Sequence, residues 1–151
     1  MVFMKNQTDV NYCRIISVDV LVAEAPAFRL GTLRHWLFHR EGNMLSTAVL
    51  KIDNSVFIDI DKFNIWLSLD KEHVSDFRNL RTKQQILAVS HIKPSKLDDW
   101  LSNRDWNELH HAVIKKGEKR LYIDITIFNE WLLTQNSNLD FGKVVKPEPN
   151  S

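Results

Sequence analysis

The apolar positions of this chain fall into short helical stripes and brief alternating runs, and they do so twice. Leu33, Trp36 and Leu37 stand at i, i+3 and i+4, one inward stripe of a helix that Gly31 and Thr32 open and that continues through Arg40. Ahead of it, Ser17 suits an N-cap for a helix starting at Val18, with Asp19 at the positive end of its dipole. That helix must stop near Pro26, because the residue before a proline is driven out of helical geometry. Only the short segment 26–30 separates the two helices. Residues 11–17 are apolar enough for a short strand or a lead-in to the helix, and residues 1–10 read as loose.

Residues 41–47 read as a loop turning at Gly42-Asn43. Two strands are expected at 48–52 and 56–60, joined around Asp53-Asn54, with Ile58 and Ile60 on the core face and Phe57 and Asp59 on the other. Asp61 is the expected cap of a third helix, with Phe63, Trp66 and Leu67 inward. Residues 68–80 connect to a second round. A helix is expected over 81–90, then a turn at His91-Ile92-Lys93. Pro94 fits the first position of a helix carrying Leu97, Trp100 and Leu101. A loop at 103–111 precedes a hairpin at 112–125 turning at Gly117. A helix from Ile127 to about Thr134 follows, with Thr126 placed to cap it.

The two rounds share residues as well as pattern. Ala48, Val49, Lys51, Ile58, Asp59, Ile60, Phe63, Asn64, Trp66 and Leu67 recur as Ala112, Val113, Lys115, Ile123, Asp124, Ile125, Phe128, Asn129, Trp131 and Leu132. The offset is 64 residues before the hairpin turn and 65 after it; upstream, Leu33, Trp36 and Leu37 answer to Leu97, Trp100 and Leu101. Self-similarity at a fixed period defines the structural unit. The expected fold is therefore mainly α with small β-hairpins (α+β), in two tandem units at 11–70 and 76–135, with a flexible tail at 136–151. The recurring tryptophans Trp36, Trp66, Trp100 and Trp131 are assigned to the cores. Trp106 stands outside the repeat, at a surface or an interface.

Composition narrows the class. With 44% apolar and 26% charged residues, the chain is a globular protein rather than a disordered one. No apolar run reaches the roughly 18 residues needed to cross a bilayer, so no membrane association is expected. The start of the chain is too weakly apolar for a signal peptide. A single cysteine, Cys13, excludes an intramolecular disulfide, and a cytoplasmic location follows as the expectation. Net charge is +1, but residues 17–70 carry five Lys/Arg against seven Asp/Glu, and residues 76–135 carry ten against eight.

With these elements in hand, the segment GTLRHWLFHREGN followed by AVLKIDNSVFIDIDKFNIWL resembles excisionase-like and MerR-type winged helix-turn-helix proteins. The likeness lies in the Leu-x-x-Trp-Leu helix, the hairpin ending in Ile-Asp and the closing helix ending in Trp-Leu. It covers about residues 17–67 and, more weakly, 81–134. It implies a nucleoid-associated binder of double-stranded DNA from a mobile or phage-like element, acting in transcription regulation or as an architectural excision factor. A homodimer, or an integrase or other DNA-bound protein, would be the protein partner. Two departures stand out: the first hairpin tip, 51–55, is poor in cations, and the helix after Pro94 carries Asp98-Asp99.

In such a fold the start of the second helix meets base edges in the major groove. The candidates in the first unit are Thr32, His35 and His39 on one face with Arg29 and Arg34 alongside, Arg40 for a phosphate, and Lys51 and Asn54 on the hairpin. Arginine can contact guanine bidentately, and threonine can touch a base edge or the thymine methyl. In the second unit the candidates are Lys93, Ser95 and Lys96 at the helix start and Lys115, Lys116, Lys119 and Arg120 around Gly117. Four cations on one tip would attract phosphates without reading sequence; the alternative is a solubilising edge.

Chemistry beyond binding is not expected. His35 and His39 have a metal-compatible spacing but no third ligand, so no metal site is assigned. No glycine-rich phosphate loop and no nucleophile–base set is present, so neither an enzyme nor a cofactor is expected. Asp59, Asp61 and Asp124 are assigned to helix capping. The rival reading is a protein-interaction adaptor that keeps the fold without binding DNA.

Overall fold

The computed structural model describes residues 12–116 and 120–140. The chain is mixed α/β and divides into two compact units, Met1–Leu80 and Arg81–Ser151. No described helix is long and apolar enough to cross a membrane.

In the first unit a 3-10 turn (Tyr12–Arg14) leads into strand β1 (Ile15–Ser17), then helices α1 (Val18–Glu24) and α2 (Leu30–Phe38). A 3-10 turn over Leu45–Ala48 precedes strands β2 (Val49–Ile52) and β3 (Ser55–Asp59) and helix α3 (Ile60–Leu67). The three strands form an antiparallel sheet in the order β1-β3-β2. Ile16 lies opposite Ile58 on one side of β3, and Val49 lies opposite it on the other.

Ser17 ends β1 and caps α1, its Oγ accepting from Val20 N, as the sequence predicts. α1 gives way at Ala25, ahead of Pro26. Two expected boundaries move. α2 opens one residue early, after Arg29, and closes at Phe38, with His39 as its C-cap and the Arg40 side chain turned back on the helix end. The cap of α3 is Asp59, not Asp61: its carboxylate accepts from Lys62 N at 3.1 Å. An N-cap needs extended backbone, and the last residue of β3 already has it (φ −80°, ψ 115°). One aspartate thus ends the strand and starts the helix. Asp61 pairs instead with Arg14, Nη2 to Oδ1 at 2.6 Å.

The second unit repeats the order. Strand β4 (Leu80–Arg81), helices α4 (Lys83–Val89), α5 (Pro94–Ser102) and α6 (Arg104–Asn107), and a 3-10 turn (Leu109–Ala112) come first. Strands β5 (Val113–Lys116) and β6 (Arg120–Asp124) and helix α7 (Ile125–Asp140) follow. The sheet order is β4-β6-β5, the permutation seen in the first unit. Thr82 opens α4 with a reciprocal capping box with Gln85, and Pro94 takes the first turn of α5. Asp124 caps α7, accepting from Thr126 N and Ile127 N, so Thr126 is inside the helix. The expected loop at 103–111 is helical, and α7 runs six residues past Thr134. The expected turn at Gly117, the lead-in at 1–10 and the tail from 141 onward lie outside the described residues.

The aromatic contacts of the two cores recur at the matched positions of the repeat. Trp36 and Trp66 meet edge to face at 5.3 Å and 66°; Trp100 and Trp131 do so at 5.3 Å and 68°. Phe63 stacks on Trp66, and Phe128 on Trp131. Leu33 and Leu97 are fully buried, as are Leu45 and Leu109.

The strongest correspondence was not apparent from the apolar pattern. Each unit clamps the end of its second helix through an Arg-x-x-Asn-x-Leu hook. Arg40 Nη1 donates to Leu37 O at 2.8 Å, and Arg104 Nη1 to Leu101 O at 2.7 Å. Asn43 Nδ2 donates to Trp36 O while its Oδ1 accepts from Leu45 N; Asn107 makes the same pair of bonds to Trp100 O and Leu109 N. The indole of the closing helix then donates to the asparagine's own carbonyl, Trp66 to Asn43 at 2.8 Å and Trp131 to Asn107 at 2.7 Å. Met44 and Glu108, the residues after the two asparagines, hold the same left-handed backbone, φ 70° and 68°. Buried polar groups of a helix terminus need partners, and the hook supplies them to one shared plan.

The units differ at the closing helix. In the first, the connector folds back: Asn64 Oδ1 accepts from Phe77 N, Ser68 Oγ accepts from Ser75 N, and buried Phe77 packs on Phe63. Residues 71–77 therefore fold onto the first unit, and the division between the units falls within β4, after Leu80. Asn129, the counterpart of Asn64, is exposed.

Candidate nucleic-acid interface

α1 packs on α2, and α2 turns Leu33, Trp36 and Leu37 into the core. Its outer side therefore carries Gly31, Arg34, His35 and Phe38, all exposed. Arg34 makes no ion pair or hydrogen bond with any described residue, and Arg29, exposed at the N-cap, makes none through its side chain either. The His35 and His39 rings meet at 4.6 Å, with His39 also against Phe38 at 5.0 Å. Thr32 is half-buried rather than on the open ridge. Arg40, assigned to a phosphate from sequence, has one guanidinium nitrogen committed to the end of α2; since Arg104 does the same, its first role is to clamp the helix.

Phe38 is absent from the sequence-derived set, yet it is 81% exposed at the end of this ridge. An available signal was its position: five residues after Leu33, it is off the apolar stripe. Beneath Gly31, open space would admit a Cβ, so glycine is not demanded there by crowding.

At the corresponding place in the second unit, Lys93, Ser95 and Lys96 are exposed around the first turn of α5. Asp98 is not a bare negative charge: Lys83 Nζ of α4 reaches its Oδ1 at 2.7 Å. The positions 64 residues earlier hold Asp19 and Arg34, the same two charges with their signs exchanged. Where the second unit has a closed ion pair, the first has an arginine with no described partner.

The hairpins differ likewise. In the first, Asp53 (φ 55°) and Asn54 make a two-residue turn between Ile52 and Ser55, as expected, and Lys51 and Asn54 are exposed. In the second, Lys116 lies directly opposite Arg120, next to the Lys115–Leu121 pair. The pairing concentrates positive charge at this strand end. Lys115 and Arg120 are exposed and Lys116 half-buried; Lys119 lies outside the described residues. Further down the same strands, Ile114 and Tyr122 are paired and both buried, and burial pushes the Tyr122 phenol upward in pKa. Phe57 in the first hairpin, expected on the face away from the core, is half-buried.

The first unit carries an exposed helix ridge and the second a cationic strand end, each unit with its own three-stranded sheet. Among the described residues no group of three or more His, Cys, Asp or Glu side chains converges as a metal site. Compared with protein-family models, with curated proteins and with solved structures, the chain gave no match.

Proposed function

We propose that each unit is a winged helix-turn-helix module and that the chain binds double-stranded DNA, with α2 in the major groove and the β5–β6 hairpin along the phosphates. The observation that carries this reading is the outer ridge of α2. It is the second of two tightly joined helices and presents Arg34, free of described partners, with His35 and a solvent-facing Phe38. Such a ridge suits a reading helix, with arginine for guanine and an apolar group for the thymine methyl. A third strand pairing with the hairpin ahead of two helices, in both units, supports the winged form. Labour is divided: the first unit reads sequence, and the second, with Lys115, Lys116 and Arg120, holds the backbone. The biological setting is that of a regulator or an architectural factor of a mobile element, as the resemblance implies.

Fluorescence anisotropy of labelled random duplex across a salt series tests this. Binding at low salt that weakens steeply with added salt is the expected result; no binding at low salt refutes it.

A second reading, an adaptor for another protein, draws on the Lys83–Asp98 ion pair, which neutralises the second unit's own reading helix, and on the acidic first unit. It predicts a complex that forms without DNA.

A further inference from the structure

The two units agree in their cores to within tenths of an ångström in the hook hydrogen bonds, so places where their surfaces part are informative. Around the first hook, Met44, Thr47, Lys62, Ile65, Trp66 and Leu69 line a hollow of about 250 Å³. Met44 is 59% exposed, Ile65 50% and Leu69 55%. In the second unit the same positions carry Glu108 for Met44, His111 for Thr47, Glu130 for Ile65 and Thr134 for Leu69. Lys62 is answered by Ile127, so the first unit's hollow is apolar but for one lysine, where the second unit carries two glutamates and a histidine. One residue before the hook asparagine the divergence runs the opposite way. Gly42 in the first unit is Trp106 in the second, 88% exposed on the short helix α6 and flanked by exposed Asp105 and, two residues on, Glu108.

We propose that these are the two halves of one contact: Trp106 of one copy of the chain seats in the Met44–Ile65–Leu69 cradle of a second copy. The cradle is of the size that takes one large aromatic ring, and tryptophan is enriched among the anchors of protein interfaces. The charges match as well. Lys62 stands at the cradle with no described ion pair, while Asp105 and Glu108 stand beside the tryptophan. A rim of opposite charge fixes orientation. Knob and cradle are different surfaces, so two copies either exchange knobs in a closed two-fold pair or continue head to tail from copy to copy. It needs no DNA and is independent of the reading above.

The chain itself supplies the test variants. Met44→Glu with Ile65→Glu writes the second unit's residues into the first, at a backbone site where Glu108 already holds the left-handed conformation. Trp106→Ala removes the knob from an exposed position. Circular dichroism and thermal melting of both variants should match the parent. Sedimentation velocity of the full chain, without DNA and from micromolar to near-millimolar concentration, should show association that each variant weakens by about 30-fold or more. Mixing the two variants gives a one-to-one pair that neither forms alone, because one brings the cradle and the other the knob. A parent chain that stays monomeric throughout, a Trp106→Ala chain that associates as the parent does, or a mixture that fails to associate overturns the proposal. If instead the parent is monomeric and a different protein protects the cradle, the occupant is not a second copy.

Discussion

Replacing Asn43 by alanine removes two bonds at once from the first hook. Trp36 O, a carbonyl in the last turn of α2, loses its donor at 3.0 Å, and Leu45 N loses its acceptor at 2.9 Å. Leu45 itself is fully buried, so water replaces the acceptor poorly. A typical bond contributes a net ~1 kcal/mol, and a buried group left unpaired costs about 1–3 kcal/mol. Both bonds here are only partly buried, which puts the sum at about 2–4 kcal/mol. A unit of this size has about 4–10 kcal/mol in total, so the loss is a large share. The Trp66 indole donates to the main-chain carbonyl of residue 43, which the substitution leaves in place, so the cost should not spread to the aromatic pair. Native-state hydrogen exchange read by NMR separates the units. In Asn43→Ala the Leu45 amide should lose protection by about 30-fold or more, with the Leu109 amide unchanged. Asn107→Ala should do the reverse by a similar factor. Asn43→Asp keeps the acceptor and should cost about half as much. Protection changes below about threefold, or a loss of protection with one of the two alanine variants but not with the other, would refute the claim that one hook serves two equivalent modules.

Three further outcomes are expected. Arg34→Ala should erase preference for the selected duplex over a scrambled one by about 1–3 kcal/mol, whereas Lys115→Ala should weaken all duplexes alike and lower the salt slope by about 1, both read by anisotropy. Asp59→Ala should cost the first unit about 1 kcal/mol in urea unfolding through its lost cap, against little change for Asp61→Ala at its exposed ion pair. The Arg78 side chain holds the Asp76 carboxyl below its ordinary pKa, so this pair stabilises the native state above the unfolded aspartate range, and the gain is lost as pH falls through the folded value. With both side chains more than a quarter exposed, the effect is at most ~1 kcal/mol, and Asp76→Asn should flatten the acid limb of a stability–pH curve by that amount.

Much of the architecture was legible in the chain because it is written twice. The stripe Leu33–Trp36–Leu37 and its second copy locate α2 and α5, and the Ile-Asp pairs locate the join of strand and helix. What the apolar pattern could not supply lay in polar residues. Asp59 and Asp61 are equally good caps by type, and only the strand's extended last residue decides between them. Arg40, Asn43 and Leu45 also recur at the 64-residue offset, but their chemistry runs through backbone atoms that a hydrophobic pattern does not reveal. The segment 68–80 reads as a connector, though Asn64 and Ser68 draw Ser75 and Phe77 onto the first unit. At the candidate interface the exposed charges of α2 and the β5–β6 hairpin were readable from position, whereas the Lys83–Asp98 pair depends on two helices meeting.

Mutations of the hook probe the scaffold, but the account turns on what the α2 ridge touches. The most direct measurement is the binding of parent chain and Arg34→Ala to random and to selected duplex DNA between roughly 50 and 200 mM salt. Parent affinity that falls steeply with salt, and a selected site whose advantage vanishes in Arg34→Ala, is the predicted result. Absence of binding at the lowest salt, or a preference that Arg34→Ala leaves intact, would contradict it.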